Sequence, residues 1–112
     1  MDWHSEPRGN DLIVVPGNPI NHINADNFEA RLLSSVAEAS ADGLRLIIDF
    51  RSVAYMSSVG LQVLMRALNE ARKSSVEMLI ANLGDTMREI FEISRFDKLL
   101  PVYDSLEAAI DS

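Results

Sequence analysis

The chain contains no cysteine. That absence excludes disulfides, thiolate metal sites and cysteine nucleophiles, and it fits a reducing cytosol. Basic charge is scarce: 10 Lys and Arg stand against 17 Asp and Glu, a formal net charge of −7. No basic patch emerges, which argues against nucleic acid and anionic membrane surfaces as partners. An acidic surface favours solubility and suits a partner with a basic face. Long apolar runs are missing as well. Those present, such as residues 12–15, are about four residues long, against the roughly 20 that a transmembrane helix needs. The first ten residues, MDWHSEPRGN, hold no apolar stretch of the kind a signal peptide needs, so a cytoplasmic location is expected. The five glycines are scattered, and neither a Walker loop nor G-x-G-x-x-G is present. G-x-S-x-G is absent too, and His4 and His22 stand in no HxH or HExxH spacing. Neither enzymatic activity nor a metal or other cofactor is expected.

What is there reads as one α/β domain. A length of 112 residues, 47% hydrophobic and 24% charged, is enough for a single core. Residues 1–10 are polar and contain Pro7 and Gly9; they read as a flexible lead-in, with Trp3 the one residue suited to packing, and the domain is expected over residues 11–112. Residues 12–15 are β-branched-rich and bounded by Asp11 and Pro16-Gly17, a strand pattern. A short second strand is expected near residues 20–23. Asn24 or Asp26 suits the cap of a helix reaching about residue 39, with Phe28, Leu32, Leu33 and Val36 at helical spacing and Gly43 beyond its end. Residues 44–50 form a nearly continuous apolar run, suited to a central strand buried on both faces and interrupted only by Asp49.

A connection over residues 51–56 leads to a helix over 58–73, with Leu61, Leu64, Met65, Leu68 and Ala71 as its buried stripe. Residues 76–81 read as a strand, and Thr86 to Glu89 as a capping box opening a helix with Ile90 and Phe91. Residues 96–102 read as a short last strand, and residues 104–107 start a terminal helix with Leu106, Ala109 and Ile110 inside. The order β, β, α, β, α, β, α, β, α predicts a mostly parallel or mixed sheet of four to five strands with about four helices.

Residues 55–65, from Tyr55 to Met65, organise the chain. They leave the central strand and start a helix with two hydroxyls, Ser57 and Ser58. Serine here serves as an N-cap, accepting a hydrogen bond from a free backbone N–H. The same geometry favours an anion, because the helix dipole and free N–H groups converge there. A phosphoryl group at this point adds about −1.5 to −2 charges and acts on whatever docks over the site. Gly60 leaves the first turn open to close approach by backbone or partner. Asp49, the one acid in an apolar strand, reads as a strand-end residue that holds nearby backbone.

The run Leu46-Ile47-Ile48-Asp49-Phe50-Arg51-Ser52-Val53-Ala54-Tyr55-Met56-Ser57-Ser58-Val59-Gly60-Leu61 resembles the signature of the STAS domain, and most of all that of the single-domain anti-sigma factor antagonists of bacteria. Pro16-Gly17, Asn24-Ala25 and Phe28 on one side resemble the family's early loop and helix start. Ile90-Phe91, Leu99, Val102-Tyr103 and Leu106 to Ala109 on the other resemble its closing elements, so the likeness covers residues 11–111. The resemblance implies partner switching. The unphosphorylated protein binds an anti-sigma factor that is also a serine kinase, and this frees a sigma factor. The kinase then phosphorylates a serine at this helix start with ATP, binding is lost, and a serine phosphatase reverses the mark. Carried over by position, the acceptor is Ser58, with Ser57 as the alternative. The implied partner face comprises Asn21, Ser57, Ser58, Val59, Gly60 and Gln62. Two positions depart from the family's pattern: Ser57 stands where many members carry Asp, and Asn21 where the early loop commonly carries Asp. A non-enzymatic STAS subunit of a transport or stress-signalling complex, acting without phosphorylation, is the alternative function.

Overall fold

Four short apolar stretches, whose successive side chains point to opposite faces, generate the sheet. In a computed structural model, which describes residues 2–17 and 19–112, they are β2 (Asp11–Pro16), β3 (Arg45–Asp49), β4 (Met78–Ala81) and β5 (Val102–Tyr103). A further strand, β1 (Trp3–Arg8), completes a five-stranded sheet of order β1-β2-β3-β4-β5. Strands β2 to β5 are parallel, and β1 is antiparallel to β2. The helices are α1 (Ala25–Asp42), α2 (Ser58–Lys73), α3 (Asp85–Ser94) and α4 (Leu106–Ile110).

The period-two alternation of strands sorts the core into two layers. Leu12, Val14, Leu46, Ile48, Met78 and Ile80 pack with Phe28, Leu32 and Val36 of α1, Val63, Leu64 and Leu68 of α2, and Met87 and Phe91 of α3. Ile13, Ile47, Leu79 and Ala81 point the other way and are covered by Leu106 and Ala109 of α4. Three right-handed crossovers that always step in the same direction must all pass over one face, which is why α1, α2 and α3 share it. Fully burying each such Leu, Ile or Phe stabilises the fold by roughly 1.5–3 kcal/mol. Among the described residues, no helix is long and apolar enough to cross a membrane.

Several expectations change. Residues 3–8 are not a flexible lead-in: they pair with residues 11–16 through a two-residue turn at Gly9 (φ +60°) and Asn10. Trp3 packs on Phe28, with ring centroids 6.4 Å apart, and the Arg31 guanidinium lies 5.9 Å from its ring. An edge strand tolerates the polar residues that made this segment look like a tail. Residues 20–23 do not form a strand. Ile20 makes a single parallel bridge to Met56, and the chain then turns into α1. Asn24 occupies the cap position of α1 but makes no side-chain cap bond; its Oδ1 accepts from the Asn21 N–H at 2.9 Å instead. Gly43 ends α1 in the left-handed conformation at φ +67°, where a Cβ would be strained.

Helix α3 starts at Asp85 with Gly84 as its cap, so Thr86 lies inside the first turn and the expected capping box does not form. Residues 96–102 divide into a 3₁₀ turn, Phe96–Lys98, and a strand of only two residues. Asp11 and Arg45, neighbours in register across β2 and β3, form an ion pair with Nε to Oδ1 at 2.6 Å, the carboxylate buried and the guanidinium half-buried. That hydrogen bond raises the Arg45 pKa further above its ordinary value. The same guanidinium donates to the carbonyl oxygens of Ala109, Ile110 and Ser112, the end of α4.

Candidate functional site

The site grows from the carboxyl end of β3, where Asp49 is wholly buried. The backbone N–H of Phe50 still reaches the Ala81 carbonyl at 2.9 Å, and the Val53 N–H returns to the Phe50 carbonyl at 3.0 Å. Buried Val53 and Met56 pull the connection onto the core, while Tyr55 stands between them at 52% exposure.

This connection is strapped to the loop between β2 and α1. The Ile20 N–H donates to the Tyr55 carbonyl at 3.4 Å, and the Ser57 N–H donates to the Ile20 carbonyl at 3.0 Å. The loop itself is closed by amides. Asn21 Oδ1 accepts from the Ile23 N–H at 2.9 Å, and Asn24 Nδ2 donates to the Pro19 carbonyl. Two segments distant in sequence thus form one surface, and Ile23 stands on it at 81% exposure.

Ser57 has extended backbone, and its Oγ accepts from the Gly60 N–H at 3.4 Å. Ser57 is therefore the N-cap, half-buried, and Ser58 is the first residue of α2 and exposed. Gly60 is buried. A Cβ there would lie 2.5 Å from Met56 Cγ and 2.8 Å from Ile20 Cγ2, closer than real contacts allow. Its role is to let the loop and the connection close over α2, so of the residues expected at the partner face it is the one that is buried. Val59 is half-buried against the core, Asn21 is half-buried, and Gln62 is exposed one turn beyond Ser58. Below them Arg66 of α2 donates to Glu29 of α1, and that bond holds the Glu29 carboxyl below its ordinary pKa.

Sequence reasoning joins Asn21 to Ser57 and Ser58 only through the family resemblance, and the fold brings all three onto one surface. It passes over Ile23, and it takes Tyr55 as the start of the organising stretch without placing it on the partner face. Their identity as apolar residues carries no sign of exposure; the signal lay in the polar, turn-forming residues on either side of Ile23. The expectation for Asp49 as a holder of backbone stands, since its Oδ1 accepts from the Arg51 N–H at 2.9 Å. Among the described residues, no group of three or more His, Cys, Asp or Glu could hold a metal ion. The arrangement offers a hydroxyl at a helix start, framed by exposed apolar side chains, which suits docking by another protein.

The family model of the STAS domain matches residues 3–109, so it takes in β1. BtrV of Bordetella bronchiseptica, a protein named as an anti-sigma factor antagonist, is 34% identical over 98 residues, 88% of this chain and 82% of BtrV. The crystal structure of an anti-sigma factor antagonist from Mycobacterium paratuberculosis superposes with a TM-score of 0.81 at 22% identity, covering 98% of this chain and 91% of that one. The Bacillus cell fate determinant SpoIIAA in its phosphorylated form superposes with a TM-score of 0.71 at 17% identity, covering 98% of this chain and 97% of that one. With the strand-to-helix turn and the layer of three helices on one face already described, these matches show that the chain belongs to the STAS-domain family of anti-sigma factor antagonists.

Proposed function

We propose that this chain is a non-enzymatic, cytoplasmic partner-switching regulator whose unphosphorylated form binds an anti-sigma factor with serine kinase activity and frees a sigma factor. Phosphorylation at Ser58 ends that binding, and a serine phosphatase restores it. The observation that carries the reading is the division of labour between the two hydroxyls. Ser57 spends its oxygen on the helix cap, while Ser58 is exposed beside Tyr55 and the loop that bears Ile23. A protein partner seated on Ile23 and Tyr55 covers the Ser58 hydroxyl. A phosphoryl group there brings about −1.5 to −2 charges into an interface built for a small neutral group. The helix start tolerates that charge, so the effect falls on the partner rather than on the fold. A relative with the same fold, Bacillus SpoIIAA, has been solved in phosphorylated form.

The test incubates wild type, Ser58→Ala and Ser57→Ala with the partner kinase and ATP, followed by intact mass. Wild type and Ser57→Ala gain one phosphate, and Ser58→Ala gains none. Equal phosphorylation of Ser58→Ala and wild type overturns the assignment.

A further inference from the structure

We propose that Asp49 is a positioning residue for the Ser58 face: through Arg51 and Asn82 it fixes the turn that decides where α2 begins. The inference rests on the reading of Ser58 as the centre of the site.

Asp49 is wholly buried at the last position of the central strand. A carboxylate in such a place is expensive unless donors surround it. Four do. Oδ1 accepts from the Arg51 N–H at 2.9 Å and from Asn82 Nδ2 at 3.1 Å. Oδ2 accepts from Arg51 Nε at 2.8 Å and from Arg51 Nη2. All four are N–H donors, so the site suits an acceptor-only group, and an amide in its place would set its own NH₂ against them. Asn82 comes from the turn after β4, where its backbone is left-handed at φ +62°. Asp49 therefore ties three things together: the end of β3, the first residue of the connection to α2, and the neighbouring turn before α3. Beyond Arg51 the connection is pinned again at Met56 and Ser57 by Ile20. Between these two anchors lie only residues 52–55, too few to absorb a shift at Arg51 without passing it to the helix start.

The absence of cysteine provides a clean test. Ser58→Cys places a single thiol at the helix N-terminus, where the dipole lowers a thiol's pKa below the ordinary value of about 8.5. The pH midpoint of its alkylation by iodoacetamide reports how well position 58 is seated there. Loss of positioning in Asp49→Asn/Ser58→Cys raises the midpoint by about half a unit, read as a fall of about threefold in thiolate fraction at pH 7. Charge alone predicts the opposite sign: removing an anion and freeing Arg51 both favour the thiolate. Global destabilisation without displacement leaves the midpoint of the folded protein unmoved. Asn82→Gly/Ser58→Cys keeps the left-handed turn and removes only one donor; it raises the midpoint by less, and it decides the matter if Asp49→Asn does not fold. An unchanged or lowered midpoint in folded variants overturns the proposal. The thiol readout needs no kinase, so it stands or falls separately from phosphorylation at Ser58.

Discussion

Gly60 shows how one missing methyl group shapes the site. The space a Cβ would need is occupied by Met56 and Ile20, the two residues whose bridge joins the connection to the early loop. Gly60→Ala must push both aside. Met56 is flexible enough to move, so the protein folds, at a loss of about 1–3 kcal/mol as for other overpacked sites. Urea denaturation measures that loss. The displaced atoms belong to the strap that carries Ile23, so partner affinity falls as well, whereas an equally destabilising substitution under α4 leaves affinity intact. Ser57 and Ser58 make the complementary point. Adjacent and chemically identical, they differ only by one step across a helix boundary, and that step gives one oxygen a hydrogen-bond partner and leaves the other exposed.

Helices α1 and α2 are clamped together across their exposed rim by Glu29 and Arg66. The Arg66 hydrogen bond lowers the Glu29 pKa from its ordinary 4.5, so the sign of the pH effect follows. The pair's contribution is complete above the unfolded pKa and is lost as pH falls through the lower, folded value. Glu29→Gln is therefore less stable than wild type at neutral pH, and the two converge in acid. Urea midpoints across that range check the convergence, and added salt shrinks the neutral-pH difference because the pair is exposed. At this scale most of the fold was legible in the sequence. The helical repeats of α1 and α2 and the apolar runs of β3 and β4 all announce themselves, because a buried stripe or a doubly buried strand leaves a long, regular trace. β1 does not, since an edge strand with a solvated face needs few apolar residues; its one signal was the Gly9-Asn10 hairpin dipeptide. The ends of α3 and β5 were hidden for a different reason. A backbone cap at Gly84 and a left-handed Arg95 at φ +64° carry no side-chain signature. For the site, the helix start was plain from Ser57 and Ser58. The pairing of Ile20 with Met56 was not, because it joins residues far apart in the chain through backbone groups alone.

The whole molecule answers to one probe. Trp3 is the only tryptophan, and it reaches from the edge strand onto Phe28 in the core. If the hairpin is an integral part of one cooperative unit, tryptophan fluorescence and far-ultraviolet circular dichroism follow the same unfolding curve. A fluorescence transition at lower urea would mean that β1 peels away first. The winding of the chain has a broader consequence. In sheets whose strand order reverses, the loops at the carboxyl edge part and leave a crevice for a ligand. Here each crossover steps the same way, so the carboxyl-edge loops follow one another in sheet order and present a rim, with an open hollow among residues 50–54, 82–84 and 104–107. In the function proposed above a partner reads that rim by touch, and side chains such as Ile23, Tyr55 and Gln62, which the core does not use, spell the message. Those letters can be exchanged without refolding the page on which they are written. One scaffold can thus be issued many times with different addressees, each copy kept to its own correspondent by a few surface residues.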